Sequence, residues 1–206
     1  MAEPQVARLI EVMHQLRRGC PWDAEQTHLS LVHYLVEETL EVVDAIEAGD
    51  DTDLQEELGD LLLQVVFHAE IAAQEGRFTI EDVAQGIADK LVARHPYVFG
   101  DGAIPEDLMG SWEARKRAEK QRTSSLDGIP TRLSALARAH KVISRARSHG
   151  LTLALASEPL DEAEAGRALL ALAARAQASG IDPEQALRVA LRSLEATITT
   201  TELEPN

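Results

Sequence analysis

Glu37-Glu38-x-x-Glu41 and, after fifteen intervening residues, Glu57-x-x-Asp60 are the groups in this chain best suited to chemistry. Carboxylates three apart share one helical face, about 5–6 Å apart at Cβ, so each pair can aim two oxygens at a single point. Like charges this close raise one another's pKa and resist joint ionisation unless a cation lies between them. A hard divalent ion such as Mg²⁺ or Mn²⁺ takes oxygen ligands of this kind. The competing interpretation is a solvated acidic face, and the first cluster alone favours it. Tyr34, Glu38, Glu41 and Ala45 form one stripe beside an apolar stripe of Leu31, Leu35, Val42 and Ile46, as in an ordinary amphipathic helix. The second cluster reverses the balance. From Leu58 to Ala73 the chain is apolar nearly all the way round, as in a buried helix, with a main polar window of Glu57, Asp60, Gln64 and His68. Acids are rarely found in such surroundings without a partner, which predicts a metal site.

Helices must carry these groups. Pro4 to Arg17 reads as a first helix broken by Gly19-Cys20-Pro21, and Asp23 starts a short segment. The acidic helix runs from about Leu29 to Ala48 and ends at Gly49-Asp50-Asp51, a turn. Asp53 is expected to cap the next helix, which Gly76 terminates. Thr79 with Asp82 three residues on forms a capping box that opens a helix towards Arg94. Residues 95–105 read as irregular, 111–122 as a charged helix, 131–149 as an Arg-rich helix, and 160–179 and 183–194 as Ala- and Leu-rich helices. Helix formers dominate and alternating runs are scarce, so the fold class is all-α.

The 206 residues carry a net charge of −15 with 45% apolar content. This balance argues against binding a long nucleic acid, which needs a basic surface. Residues 111–150 depart from it, holding ten of the twenty Lys and Arg against Glu113, Glu119 and Asp127; that strip could meet phosphates or an acidic partner. No apolar run approaches a membrane span, and the acidic start MAEPQ is unlike a signal peptide. The lone Cys20 makes an internal disulfide impossible and a reducing cytoplasm the default location.

Several ordered blocks then become recognisable. Cys20-Pro-Trp-Asp23-x-x-Gln26-Thr27-His28, Glu37-Glu38-x-x-Glu41-Val-x-Asp44-Ala45-Ile46, Glu56-Glu57-Leu-Gly-Asp60-Leu-Leu-Leu-Gln-Val-Val-Phe67 and Arg94-His-Pro-x-Val-Phe99 resemble the MazG family. The resemblance spans roughly residues 5 to 150. It implies an all-α bundle with a four-helix core completed by dimerisation. The implied activity is Mg²⁺-dependent hydrolysis of a (d)NTP between the α- and β-phosphates, to (d)NMP and pyrophosphate. Such an activity would suit cleansing of the nucleotide pool. Residue by residue, Glu38, Glu41, Glu57 and Asp60 fall on metal-ligand positions, with Glu38 and Glu41 also catalytic. Lys90 and Arg94 match positions that contact the triphosphate, and Trp112 and Lys116 match positions that hold the nucleotide. Mn²⁺ is an expected substitute for Mg²⁺, and the expected partners are the nucleotide and a second copy of the chain.

The C-terminal part departs from the longer members of that family. Glu57-Leu-Gly-Asp60-Leu-Leu-Leu is echoed by Glu164-Ala-Gly166-Arg167-Ala-Leu-Leu, but Arg167 stands at the Asp60 position and no second Glu-x-x-Glu helix precedes it. Residues 1–125 are therefore expected to form the catalytic domain, 126–130 a linker, and 131–206 a degenerate helical remnant. Two other functions compete with this one. Glu11-x-x-His14 and Glu25-x-x-His28 would suit a ferritin-like di-iron bundle, but the break at Gly19-Cys20-Pro21 leaves too little chain between them. A regulatory protein that binds nucleotide without turnover is the other alternative, and the intact acids and cations argue against it.

Overall fold

The computed structural model describes residues 5–119 and 123–203. Ten helices follow in order: α1 Gln5–Gly19, α2 Pro21–Glu25, α3 Val32–Ala48, α4 Asp51–Gln74, α5 Ile80–Arg94, α6 Pro96–Phe99, α7 Leu108–Glu119, α8 Ala135–Ser148, α9 Glu162–Ala178 and α10 Pro183–Leu203. The described residues contain no strand, which bears out the all-α expectation. Pro4 and residues 120–122, expected at the ends of helices, lie outside the described residues. The chain divides into two compact units, Met1–Gly102 and Ala103–Asn206.

In the first unit α3 and α4 form a hairpin closed by Gly49, whose φ of 72° is a left-handed conformation natural to glycine. Asp50, not Asp53, caps α4, its carboxylate accepting from the Thr52 and Asp53 amides. The helix begins three residues earlier than expected because Asp50 adopts extended dihedrals and satisfies two orphan donors at once. The core gathers Met13, Leu31, Val66, Phe67 and Ile71, with Leu9, Ile10, Tyr34, Leu63 and Ile80 packed around them. Arg17 pins the α1–α2 corner onto α4: its guanidinium donates to the carbonyls of Asp23, Ala24 and Gln26 and to Gln74 Oε1. His14 Nδ1 lies 2.8 Å from the Glu70 carboxylate and makes a second tie between α1 and α4. The capping box at α5 forms as expected, Thr79 and Asp82 bonding reciprocally. These bonds from Thr79 hold the Asp82 carboxyl below its ordinary range.

Burial along α4 is less complete than its sequence suggests. Val66, Phe67, Ala69, Ile71 and Ala72 are buried, whereas Leu58, Leu62 and Val65 are exposed. Helix α1 packs against α4, with His14 and Arg17 reaching Glu70 and Gln74 in its C-terminal turns. Of the exposed aliphatics, Leu58 and Leu62 lie on the N-terminal half of α4 and Val65 just past its midpoint.

In the second unit α8 packs on α10 around Ile129, Ala139, Val142, Ala146, Leu191 and Ile198. Residues 126–130, expected as a linker, are folded into this core instead. Ile129 is buried within it and Leu126 packs against it. Their anchor is a set of polar contacts. Asp127 Oδ2 accepts from the Thr123 and Ser124 amides, Glu202 accepts from Ser124 Oγ and the Ser125 amide, and Arg145 donates to the Asp127 carbonyl. Helix α10 runs on to Leu203, past the expected Leu194, because Ile198 is buried and Glu202 is held by that turn. Helix α9 contributes no buried residue.

Candidate metal and nucleotide site

The short turn at Gly49-Asp50 sets the register of the α3–α4 hairpin, and the acids meet across it. Glu38, Glu41 and Glu57 each offer a carboxylate oxygen, all within 4.8 Å of one another. Asp60, one turn along from Glu57, presses on the same cluster electrostatically. Burial raises the Glu38 pKa most, followed by the charges of Asp60, Glu41 and Glu37. Glu57 is likewise raised by burial, then by Glu41, Asp60, Glu56 and Asp53. Glu38, Glu57 and Asp60 are half-buried, while Glu41 faces solvent. Three carboxylate oxygens converging on one point, with Asp60 beside them and the Glu38 and Glu57 carboxyls raised by burial and neighbouring charge, fit a divalent cation such as Mg²⁺ or Mn²⁺.

The other expected site residues divide between the units. Helix α5, packed against α4, carries Lys90 and Arg94 one turn apart. Lys90 is half-buried and Arg94 is buried, so the pair is set into the fold and is not an open surface pair. Trp112 and Lys116 lie on α7 of the second unit. There the Lys116 ammonium sits 4.4 Å from the centre of the Trp112 ring, a cation–π pair.

Histidine chemistry goes elsewhere. His14 pairs with Glu70, and His28 with His68. Helix α2 ends at Glu25, so Glu25 and His28 do not share a helix as the di-iron alternative requires. The pairing of His28 with His68, and of Arg77 with His28, was not anticipated from the sequence. His68 closed the polar window on α4, but no periodicity connects it with residues on two distant turns.

Fold and site together define an all-α protein whose first unit gathers four carboxylates on a helical hairpin. Residues 26–99 match the MazG nucleotide pyrophosphohydrolase domain, a span that includes the four acids, Lys90 and Arg94 but neither Trp112 nor Lys116. A 26.1 kDa protein of Streptomyces cacaoi is 50% identical over 187 residues, covering 88% of this chain and 76% of that protein. The nucleoside triphosphate pyrophosphohydrolase/pyrophosphatase MazG of Thermotoga maritima is 39% identical, covering 89% of this chain and 80% of the relative. The nucleoside triphosphate pyrophosphohydrolase of Escherichia coli K12 is 47% identical over 154 residues, 71% of this chain but 59% of the longer enzyme. The chain belongs to the MazG nucleotide pyrophosphohydrolase family, and with it to the hydrolases. Among the described residues no helix is long and apolar enough to cross a membrane.

Proposed function

We propose that the chain hydrolyses nucleoside triphosphates, ribo- or deoxyribo-, between the α- and β-phosphates. Water adds to the α-phosphorus, and pyrophosphate leaves from (d)NMP. The convergence of Glu38, Glu41 and Glu57 within 4.8 Å, with Asp60 beside them, carries this reading. These four residues would hold Mg²⁺, with Mn²⁺ as a substitute, which supplies a Lewis acid for phosphate oxygens and a water of lowered pKa.

The remaining roles belong to the chain's own side chains. Glu38 and Glu41 orient the attacking water, consistent with a Glu38 carboxyl already pushed up by burial and neighbouring acids. Lys90 and Arg94, one turn apart on α5, offset the charge of the triphosphate. Trp112 offers a ring face and Lys116 a cation to the nucleotide. Support for these two rests on their match to the family's Trp-x-x-x-Lys positions.

A homodimer is part of the proposal. Val36, Leu40 and Val43 on α3 and Leu58, Leu62 and Val65 on α4 are all exposed. An aliphatic face of this kind on a helical hairpin favours a second copy of the same hairpin. A cytoplasmic role in clearing unwanted nucleotides fits the lone cysteine and the acidic charge. The test is a panel of NTPs and dNTPs with Mg²⁺, scoring the released products. Pyrophosphate with nucleoside monophosphate is expected; orthophosphate release, or saturable binding without turnover, would overturn it.

A further inference from the structure

Two buried polar atoms on α4, Gln64 Oε1 and His68 Nε2, have no hydrogen-bond partner in the structure. Gln64 is only 5% exposed. Buried polar atoms left unpaired are destabilising, and native chains retain few of them. Both continue the strip that carries the metal carboxylates. At 100° per residue Glu57, Asp60, Gln64 and His68 fall within an arc of about 80°. Along the axis Gln64 lies ~6 Å and His68 ~12 Å beyond Asp60, comparable to the span of a nucleoside from its 5′ phosphate to the far edge of its base.

The neighbours of His68 determine what its free nitrogen offers. Arg77 contacts His28 Nε2 through its guanidinium, which can only donate. That nitrogen therefore accepts, and the His28 proton sits on Nδ1. His28 Nδ1 is 2.7 Å from His68 Nδ1. With ring planes 7° apart and centroids separated by 5.0 Å, the centroid distance exceeds this contact by about two ring radii, so the rings meet edge to edge. His28 thus donates in plane, and His68 Nδ1 accepts. Burial first, and His28 second, lower the His68 pKa and keep its ring neutral. The remaining proton lies on Nε2. One turn of α4 therefore presents an acceptor, and the next a donor, both unsatisfied.

We infer that Gln64 and His68 determine base specificity, the Gln64 carbonyl accepting from, and His68 Nε2–H donating to, the hydrogen-bonding edge of the nucleobase whose triphosphate the carboxylates hold. The inference rests on the pyrophosphohydrolase function proposed above. A site with buried donors and acceptors strongly rejects a base that leaves them unpaired. Neither atom is open to solvent in the nucleotide-free chain, so binding of the base requires a local rearrangement at this strip.

The full-length chain provides the test. Turnover of ATP, GTP, CTP and UTP and their deoxy counterparts is compared for the parent, Gln64→Leu, Gln64→Met and His68→Phe, together with binding of inorganic tripolyphosphate in Mg²⁺. Loss of the polar contacts is expected to reduce kcat/KM for the preferred base roughly tenfold or more, flattening the ratios between bases. Tripolyphosphate affinity should stay within about twofold, because the carboxylates and cations are untouched. The nucleotide-free Tm of Gln64→Leu or Gln64→Met should hold or rise, since an orphaned polar atom has been removed. Base ratios unchanged in all variants would overturn the inference while leaving the hydrolase function intact. A collapse of Tm and of tripolyphosphate binding in both Gln64 variants would make Gln64 structural and overturn it as well. No turnover of any nucleotide by the parent would remove the function itself.

Discussion

Helices α4 and α9 end in the same kind of glycine turn, yet one carries a site and the other does not. After α4, Gly76 takes a φ of 67° and the Arg77 amide bonds back to the Ala72 carbonyl at 3.0 Å. After α9, Gly180 takes a φ of 65° and the Ile181 amide bonds back to Ala176 at 2.9 Å. Both are the left-handed glycine termination in which a backbone amide satisfies an orphan carbonyl. Each following helix is also capped, by Thr79 with Asp82 in α5 and by Asp182 in α10. The helix faces differ. Helix α4 buries Gln64, Val66, Phe67, Ala69, Ile71 and Ala72 and meets Glu38 and Glu41 across the hairpin, whereas α9 buries nothing and carries Glu164 and Arg167 in the open. A corner is a local property of a glycine and a cap. A site needs a neighbouring helix that supplies the other half of the charge.

Substitutions at the acids should separate the two helices most. Glu41→Gln or Asp60→Asn is expected to cut kcat/KM by on the order of 10³-fold, since a ligand carboxylate and its field are removed. Arg167→Asp, which restores the missing acid on α9, should change turnover less than about twofold, because no second Glu-x-x-Glu helix faces it. Steady-state assays of the three variants decide this, and a gain of a second activity in Arg167→Asp would break the contrast.

Stability should follow the same division. Phe67 is 3% exposed within the first core, whereas Leu170 on α9 is 72% exposed. Phe67→Ala should cost about 3–5 kcal/mol through lost transfer energy and a residual cavity, and Leu170→Ala should stay within about 0.5 kcal/mol. Chemical denaturation measures both. A large loss at Leu170 would mean that α9 is covered in solution.

The smallest effect tests what the helices share. A Cβ at Gly76 or Gly180 would meet nothing within 4 Å, so the penalty is the left-handed backbone alone. Gly76→Ala and Gly180→Ala should each cost about 1–2 kcal/mol, and by similar amounts. Unequal losses would show that the two corners are not equivalent.

Much of this was legible in the residues. The helical periodicity, the Thr79–Asp82 box and the facing acids all follow from spacing, because each depends on residues within a few turns of one another. The expectation of a cap at Asp53 when Asp50 fills that place reflects how little distinguishes neighbouring acids at a helix start. The segment 126–130 looked like a linker because its composition is that of a turn, and only the distant Glu202 and Arg145 make it core. The polar window on α4 showed Gln64 and His68, but their unpaired state depends on Arg77 and His28, which three-dimensional packing alone brings to His68. The proposed roles of Trp112 and Lys116 rest on the family's motif alone.

The central claim is that the α3–α4 carboxylates hold a divalent cation. Its most direct test is a titration of the nucleotide-free full chain with Mn²⁺, followed by calorimetry or electron paramagnetic resonance, in parallel with Glu57→Gln and Asp60→Asn. Saturable binding by the parent, lost or weakened at least tenfold in both variants, is the expected result. Mn²⁺ binding of equal strength in all three proteins would contradict it.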